Sequence, residues 1–445
     1  MELKTFKRGV HPHDGKELSN KAAIKVLNPE VGELVTIPMS QHIGAPCDAL
    51  VKVNERVLVG QKIGESAAFV SSPVHATVSG TVKAVKAALT PGGTMVNSVT
   101  IENDGEYEED PHLETSGDYK NMSNEQIIGL VKAAGIVGLG GAGFPTQVKL
   151  SPGPDSKITD IIVNAAECEP YLTCDHRCMV ERGEELVRGL EIMLKLFPGS
   201  KGHIGIEVNK PDAIDNLTKL TSGISDISVV ALKCKYPQGS EKQLIDAVTG
   251  RQVPSGALPA AVGCIVDNVA TVMAIKAAVI DGKPLTRRVV TVTGDAVKNP
   301  SNFEVPLGMR YQKLIDAAGG FKEDPAKVIS GGPMMGVALF DTEVPVTKTT
   351  SGILCLTKKA AEIPPESNCI RCGKCVEHCP MGLMPLHLNS DTLAGDDDAF
   401  VAHHGLDCIE CGSCSFICPA KRQLAQSIRV NKRAVMAKMR AKGGK

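Results

Sequence analysis

Two runs of four cysteines lie near the C-terminal end of the 445-residue sequence, and each run is followed by a proline. The first run is Cys369, Cys372, Cys375 and Cys379, and the second is Cys408, Cys411, Cys414 and Cys418. This C-x2-C-x2-C-x3-C-P spacing is typical of proteins that bind two [4Fe-4S] clusters, in which the fourth cysteine of each run ligates the other cluster. The spacing therefore predicts one cluster on Cys369, Cys372, Cys375 and Cys418, and a second on Cys408, Cys411, Cys414 and Cys379.

Zinc is the alternative metal for such cysteine pairs. It takes four ligands per ion, however, and two overlapping sets closed by Cys-Pro do not fit separate tetrahedral sites. Two adjacent clusters carry single electrons, so this part of the chain is expected to transfer electrons. The other seven cysteines have no comparable spacing, and most are expected to be buried small apolar residues. Among them, Cys168, Cys174 and Cys178 stay open as a further metal or redox site.

A glycine-rich segment, GLGGAGFP, runs from Gly138 to Pro145. It satisfies G-x-G-x-x-G but follows a predicted helix instead of a strand, so it is not by itself a dinucleotide fingerprint. Its small residues allow backbone amides to approach an anion at the start of the next helix, where Lys149 adds a positive charge. A plain loop between two helices is the alternative.

Polar residues follow the predicted strand DIIVNA, namely Asn164, Glu167 and Glu169. In α/β folds, ligand contacts lie at the carboxyl ends of strands, which makes these residues candidates for a binding site. Two further segments, residues 239–244 and 266–271, carry Glu241, Asn268 and Thr271. Taken alone, the two glutamates after the strand fit solvated loop residues better than a binding site.

The length exceeds what one hydrophobic core supports, and the pattern predicts a multidomain α/β plus β protein. A capping box at Ser123 and Gln126 predicts a helix that ends near Gly135. The predicted domains are an N-terminal segment with a barrel-sandwich-like β module (1–110), an α/β domain (119–283), a small β-grasp domain (286–357), a two-cluster ferredoxin domain (360–425) and a basic tail (426–445).

The segments between and beside these domains carry their own signals. Residues 102–118 are acidic and predict a solvated linker. Residues 421–445 hold nine basic and no acidic side chains, which indicates either a solvated helix or a docking arm for an acidic partner or a lipid surface. The β module has His75-Ala76-Thr77 where biotinyl and lipoyl domains modify a lysine. We therefore expect a docking domain without a swinging arm.

Charge and hydropathy exclude two classes of partner. Lys and Arg number 49 against 50 for Asp and Glu, so no general attraction to nucleic acid is expected. The longest apolar segment, residues 258–280, contains Asp267, Asn268 and Lys276, which disfavour insertion into a membrane. It predicts a buried helix of a soluble domain and no transmembrane segment. The N-terminus MELKTFKRGV has no apolar signal region, which favours a reducing cytoplasm.

The glycine loop and the three polar segments resemble, in this order, the flavin- and NADH-binding subunit of respiratory complex I and its hydrogenase relatives. The resemblance implies contacts with FMN phosphate at Gly138, Gly140 and Lys149, and with the flavin ring or ribityl chain at Asn164, Glu167, Glu241, Asn268 and Thr271. It implies that Phe144 and Glu169 line the nicotinamide site as the catalytic pair. The family's acidic residues are replaced here by Ala166 and Ser240.

Over nearly its whole length, the chain resembles the C subunits of Rnf complexes. The features that carry this likeness are GVHP from Gly9, GLGGAGFPTQVK, NAAECEP, residues 292–300, GGPMMG from Gly331 and the paired cysteine runs. The small β domain is then an SLBB-like β-grasp domain. The alternatives are a cobalamin reductase-type protein, which is similar from the glycine loop onward, and a non-catalytic iron-sulfur adaptor.

The resemblance implies a peripheral subunit on the cytoplasmic face of the cell membrane. Such a subunit exchanges hydride with NAD(H) through FMN and relays single electrons through two [4Fe-4S] clusters. Its complex is a ferredoxin:NAD+ oxidoreductase coupled to Na+ or H+ translocation. The implied partners are the membrane and peripheral subunits of an Rnf-type complex, and ferredoxin indirectly.

Overall fold

A computed structural model describes residues 2–111, 115, 117–153 and 156–443. It confirms the predicted fold class, because a β module, an α/β domain, a second β domain with one helix and a helical cysteine-rich domain follow one another along the chain. Among the described residues, no helix is long and apolar enough to cross a membrane.

The β module contains two small sheets that pack around one core. Apolar residues alternate in its first strand, where Val35 and Ile37 are fully buried and Leu34 is exposed, as a sheet with one core-facing side requires. The sheets have the orders β2-β8-β7-β4 and β3-β5-β6. Their strands are β2 (Leu34–Pro38), β3 (Asp48–Ala49), β4 (Arg56–Val57), β5 (Lys62–Glu65), β6 (Val74–His75), β7 (Gly80–Leu89) and β8 (Met95–Asn103). A short strand before the module, β1 (Ile24–Val26), belongs to another domain's sheet.

The α/β domain is built on a parallel four-stranded sheet of order β11-β10-β9-β12. Its strands are β9 (Asp160–Ala165), β10 (Lys201–Glu207), β11 (Ile227–Leu232) and β12 (Cys264–Asn268). Its helices are α1 (Asn124–Ala133), α2 (Thr146–Lys149), α3 (Cys174–Glu181), α4 (Gly183–Leu196), α5 (Pro211–Thr221), α6 (Glu241–Thr249) and α7 (Val269–Val279). The predicted capping box is present, because Ser123 and Gln126 exchange side-chain and backbone hydrogen bonds at the start of α1.

The prediction of one buried helix over residues 258–280 was wrong. The segment contains a short 3-10 turn, then the strand β12 and only then the helix α7. Every residue of β12 is buried, including Asp267 and Asn268. A strand buried on both faces has a continuous apolar run, which periodicity alone does not separate from a buried helix.

The second β domain is a mixed sheet of order β1-β14-β13-β17-β15-β16. Its own strands are β13 (Arg287–Thr293), β14 (Ser301–Pro306), β15 (Lys327–Ser330), β16 (Val337–Leu339) and β17 (Gly352–Leu356), and its helix is α8 (Tyr311–Ala317). The N-terminal strand β1 pairs in parallel with β14 at one edge. The N-terminal segment therefore contributes a strand to this domain's sheet before the chain enters the β module.

The ferredoxin domain contains α9 (Lys374–Glu377), α10 (Pro385–Ala394), α11 (Asp397–Ala402), α12 (Ser413–Ile417) and α13 (Leu424–Gly443). The basic tail predicted from residue 426 is part of α13, which starts before it. Leu424, Ile428 and Val435 of this helix are buried. The first part of the tail is thus a packed helix of the domain, whereas Val430 and Met439 are exposed.

The acidic segment after β8 is bound to the β module along its first part. Arg56 on β4 forms ion pairs with Asp104, Glu106 and Glu108 at 3.2, 3.0 and 2.7 Å. The backbone of Val59 also pairs with the segment near Glu109. The prediction of a solvated linker was wrong here, because Arg56 binds three carboxylates of the segment and holds it against the β module. Residues 112–114 and 116 of the predicted linker lie outside the described residues.

One lysine of the β-grasp domain joins three domains. Lys348 is fully buried, and its Nζ donates to the carbonyl oxygens of Pro73 and Gly135 at 2.6 Å each. The first carbonyl belongs to the β module and the second to the α/β domain. With no carboxylate to offset it, burial lowers the pKa of Lys348 to about 7. A neutral amine still has two N–H groups, which matches these two acceptors.

This pKa predicts a pH-dependent stability that Lys348→Met should remove. Between the folded pKa of about 7 and the unfolded value of about 10.4, the unfolded chain binds more protons, so stability rises with pH. We expect wild type to gain about 2 kcal/mol relative to the variant between pH 7 and pH 9. Urea unfolding at both pH values measures this difference. The pKa assigned to Lys348 would be contradicted if the free energies of unfolding of wild type and Lys348→Met differed by the same amount at both pH values. It would also be contradicted if the exposed control Lys25→Met changed with pH as Lys348→Met does.

Candidate active site and metal centres

The glycine loop, residues 138–143, lies against the N-terminal end of α7. Leu139 N donates to Thr271 Oγ1 at 2.9 Å, and a Cβ atom on Gly140 would lie 2.9 Å from the side chain of Asn268. Glycine at 140 is therefore required by this close approach. A Cβ on Gly141 would meet nothing within 4 Å.

The helix that the sequence suggested for anion binding is short. The helix that follows the loop, α2, has only four residues. The longer helix α7 lies across the loop instead, with Asn268 as its N-cap accepting a hydrogen bond from Ala270 N. A helix N-terminus carries a partial positive charge, and the order of elements in the sequence gave no sign that α7 would place one beside the loop.

All three large domains contact the glycine loop. Ile43 N of the β module donates to Gly143 O at 3.1 Å. A Cβ on Gly143 would lie 2.9 Å from Thr349 of the β-grasp domain. Arg288, also of the β-grasp domain and buried, donates to Leu139 O at 2.6 Å. These contacts were not predicted, because an arginine within the strand pattern of residues 287–293 gives no signal of its partner.

Lys149 and Glu241 are brought together, and Asp267 joins them. Lys149 Nζ donates to Val266 O at 2.6 Å and lies 3.3 Å from Asp267 Oδ1 and 3.4 Å from Glu241 Oε1. Burial acts to lower the pKa of Lys149, but the two carboxylates outweigh it and raise the pKa. The lysine therefore stays charged at neutral pH and can offer a positive charge to a phosphate.

Glu167 and Asn268 are linked through Asp175. Glu167 Oε1 accepts from Asp175 N at 2.7 Å, and Asn268 Nδ2 donates to Asp175 Oδ2 at 2.6 Å. Burial raises the pKa of Glu167 to about 7, with Lys16 opposing the shift. Asn164 Nδ2 is directed to Gly239 O at 2.7 Å, which ties β9 to the segment that starts α6.

Lys16 is a site residue that the sequence did not suggest. It is buried in the N-terminal segment and lies 3.9 Å from Glu167 Oε2. Its Nζ donates to the carbonyl oxygens of Glu169 and Leu172 at 3.0 and 2.5 Å. The contact spans about 150 positions of sequence, and residues 10–20 carry no pattern that indicates it.

Phe144 and Glu169 have different surroundings. Phe144 closes the glycine loop, where its carbonyl accepts from Gly138 N at 2.8 Å. Glu169 Oε1 accepts from the backbone amides of Met334 and Met335 at 2.6 and 3.1 Å. Burial raises the pKa of Glu169, and these two amides oppose the shift. One oxygen of the predicted catalytic glutamate is thus already bound by the β-grasp domain.

Two cavities in the ferredoxin domain are each lined by four of the eight cysteines. We call the first the inner cluster site, lined by Cys379, Cys408, Cys411 and Cys414. The outer cluster site is lined by Cys369, Cys372, Cys375 and Cys418. The sets coincide with those assigned from the spacing, and the iron ligation itself stays a prediction. Four thiols around one cavity suit a cubane cluster.

The two cluster sites differ in burial. In the inner site Cys379, Cys411 and Cys414 are buried, whereas Cys369 and Cys372 of the outer site are exposed. Burial raises the pKa of Cys408 to about 11, so this thiol ionises at neutral pH only with a metal beside it. Cys411 lies in one apolar cluster with Val10 and with Tyr236 of the α/β domain, and Cys168 packs against this cluster.

Cys168, Cys174 and Cys178 do not form one ligand set. Among the residues that the structure describes, the close group of possible ligand atoms comprises Glu167, Cys174 and Asp175, all within 4.8 Å of one another. The Lys16 ammonium beside Glu167 disfavours a cation there. Cys168 Sγ instead accepts a hydrogen bond from Gly239 N at 3.2 Å.

Gly140→Ala should weaken flavin binding without loss of the clusters. The added Cβ displaces the glycine loop from Asn268, and we expect at least about a tenfold weaker affinity for FMN. Flavin and iron per purified chain measure the two sites separately. Gly129→Ala on α1 is the matched control, since a Cβ there meets nothing within 4 Å and the position lies outside the glycine loop. Equal flavin content in both variants and wild type would exclude this loop as the flavin cradle.

Models of four protein families match the chain. They are the Nuo51 FMN-binding domain (residues 131–277), the RnfC barrel sandwich hybrid domain (4–106), the SLBB domain (289–338) and the 4Fe-4S dicluster domain (360–423). The glycine loop, β9 and all but the last two residues of α7 fall within the first match. The eight cysteines of the two cavities fall within the last.

Close relatives cover almost the whole chain. The C subunit of the Na(+)-translocating ferredoxin:NAD(+) oxidoreductase complex of Acetobacterium woodii is 51% identical, over 98% of this chain and 98% of its own. The C subunit of the proton-translocating complex of Clostridium ljungdahlii is 45% identical, with coverage of 96% and 93%. An NAD+-reducing [NiFe]-hydrogenase in the H2-reduced state has the same fold over 72% of this chain and 63% of its own, at a TM-score of 0.50 and 17% identity.

Proposed function

This chain belongs to the family of C subunits of ion-translocating ferredoxin:NAD(+) oxidoreductase complexes, and we propose that within such a complex it passes electrons between NAD(H) and the other subunits. The observation that carries this proposal is the direct packing of the inner cluster site on the α/β domain. Cys411 lies in one apolar cluster with Tyr236 and Cys168. Cys168 in turn lies between Glu167 and Glu169 in the loop after β9.

FMN supplies the chemistry that joins the two-electron exchange of a nicotinamide to the one-electron exchange of iron-sulfur clusters. The residues fit this cofactor, since the glycine loop has an open position at Gly141 beside the N-terminal end of α7. We assign the phosphate to Gly138, Gly140 and Lys149. Asn164, Glu167, Glu241, Asn268 and Thr271 are assigned to the ring and ribityl chain, and Phe144 with Glu169 to the nicotinamide.

One ammonium faces two carboxylates within this proposed pocket. Lys149 is paired with both Glu241 and buried Asp267. A bound phosphate would compete with these carboxylates for the ammonium, so flavin binding and the protonation of Asp267 are linked. Burial already raises the pKa of Asp267, with Lys149 opposing the shift.

The burial of the two cluster sites supports an order of electron transfer. The inner site lies against the α/β domain, where Gln243 Nε2 of α6 also donates to Pro380 O at 3.3 Å. The outer site opens to the surface through Cys369 and Cys372. Electrons therefore pass between the flavin domain and the inner cluster, and the outer cluster exchanges them with another subunit.

The surface around the outer site suits a negatively charged electron-transfer partner. Ile370 and Leu393 line the cavity and are 68% and 71% exposed. The basic residues Arg371 and Arg422 line the same cavity. An apolar contact with a basic rim steers an acidic surface to the cluster and weakens as salt rises.

The chain associates with the membrane as a subunit of a membrane complex. We place it on the cytoplasmic face, where a reducing compartment would keep free the seven cysteines that lie outside the two cluster sites. The coupling to Na+ or H+ then belongs to the membrane subunits.

The adaptor hypothesis has one supporting observation. Ala166, which replaces a family acid, is fully buried, and its carbonyl accepts from Lys210 Nζ at 2.6 Å. The purified chain separates the two functions. We expect FMN in the flavin spectrum, iron for two [4Fe-4S] clusters and bleaching of the flavin by NADH. A chain with full iron that bound neither FMN nor NADH would leave only the adaptor role.

Arg371→Glu should slow electron exchange with the partner. Reversing a charge on the rim of the outer site is expected to lower the rate of NAD+ reduction by reduced ferredoxin about tenfold at low salt, and less at high salt. The assay uses membranes that carry the whole complex, with flavin reduction by NADH as the internal reference.

Lys322→Glu, at an exposed lysine of the β-grasp domain, is the control with the same change of charge. If both variants lost equal activity, or if the loss in Arg371→Glu did not depend on salt, the outer site would not be the docking surface.

A further inference from the structure

A loop of the β-grasp domain has no role in the function described so far. We call residues 331–336 the bridge loop; it joins β15 to β16 and has the sequence GGPMMG. Gly331 N donates to Gly352 O of β17 at 2.7 Å, and Gly336 N donates to Gly332 O at 3.0 Å. The loop is thus a closed turn fixed to the central part of its sheet.

One side of the bridge loop is bound to the α/β domain through Glu169. The carboxylate accepts the amides of Met334 and Met335 at 2.6 and 3.1 Å. The approach is so close that a Cβ on Gly332 would lie 2.2 Å from Glu169 Cγ. Two backbone amides that donate to one carboxyl oxygen fix the loop to this glutamate.

The other side of the bridge loop touches the inner cluster site. A Cβ on Gly412 would lie 2.8 Å from Met334 O, which places the loop backbone directly against the second cysteine run. The Met334 side chain packs in the same apolar cluster as Cys411, Cys168 and Tyr236. The loop therefore lies between the segment after β9 and the cysteines of the inner site.

We propose that the bridge loop sets the position of the inner cluster relative to the flavin domain, and that Glu169 is the residue that positions the loop. This inference rests on the proposed function, because it assumes that electrons pass between these two sites. The rate of electron transfer falls steeply with separation, so a loop that fixes the distance controls the rate. The β-grasp domain thereby acts as the spacer of the electron path.

The test compares variants of the full-length, cofactor-loaded chain. Gly332→Ala forces Glu169 away from the loop, and Glu169→Ala removes the acceptor. Glu169→Gln keeps an oxygen that accepts the two amides. Gly129→Ala on α1 is the matched control, because a Cβ there meets nothing within 4 Å.

The first readout is the rate of electron transfer from flavin to clusters, started by photoreduction of the flavin so that the nicotinamide site takes no part. Without the hydrogen bonds to Glu169 the loop no longer fixes the distance between the inner cluster and the flavin domain, and we expect Gly332→Ala and Glu169→Ala to lower this rate about tenfold. Glu169→Gln should restore most of it, and Gly129→Ala should match wild type. The second readout is hydrogen exchange at Met334 and Met335, which should become faster in the two damaging variants only.

An electron-transfer rate and a hydrogen-exchange rate at wild-type values in Gly332→Ala would overturn the proposal, as would equal losses in Glu169→Ala and Glu169→Gln. Iron and flavin per chain show that each variant is loaded. If Gly332→Ala does not fold, the comparison of Glu169→Ala with Glu169→Gln tests the proposal. Failure of the proposed function gives a different result, because wild type itself would then show no flavin reduction by NADH.

Discussion

The glycine loop packed on α7 is the contact on which the rest of the structure depends. Three domains meet there, and each contributes a group that only tertiary packing brings into place. Gly143 takes a backbone hydrogen bond from the β module, and Arg288 of the β-grasp domain binds the carbonyl of Leu139. Burying a positive charge is costly unless it makes hydrogen bonds, so the bond from Arg288 to Leu139 favours this relative arrangement of the domains. The position of the loop is therefore fixed by the whole assembly.

The N-terminal segment connects distant parts of the chain along one electron path. The N-terminal segment pairs with β11 near Lys4 and with Tyr236 at Val10. It then touches the ferredoxin domain, where Arg8 donates to the carbonyl of Cys379 at 3.4 Å. Lys16 of this segment lies beside Glu167. One segment thus connects the flavin domain, the inner cluster site and, through β1, the β-grasp domain.

The features that were predictable from the sequence depend on residues that are close together in the chain. The spacing of the cysteines was enough to divide them into the two sets that line the two cavities, because three ligands in one tight loop leave little freedom. The strands β9, β10 and β11 followed from their apolar runs, and the capping box at Ser123 marked the start of α1. The fold class is confirmed by these elements and by the four family models.

The parts that escaped prediction depend on long-range contacts. The role of α7 at the glycine loop, the amides bound by Glu169 and the burial of Lys16 and Lys348 join residues that are far apart in sequence. Residues 258–280 were misassigned because β12 is buried on both faces and has no alternating pattern. The acidic segment was misassigned since nothing in its own sequence points to Arg56. Resemblance to known families named the flavin contacts, but it gave no contact between domains.

The central claim is that the flavin domain and both cluster sites form one electron path within this chain. Its most direct test starts from the purified chain with both clusters reduced by dithionite, the excess reductant removed and NAD+ added. Two reduced clusters hold the two electrons that one NAD+ takes up together with a proton. We predict that the clusters are reoxidised as NADH appears, and that neither occurs after FMN has been removed. NADH formation at an equal rate in the FMN-free chain, or reduced clusters that persist beside NAD+ in the FMN-loaded chain, would contradict it.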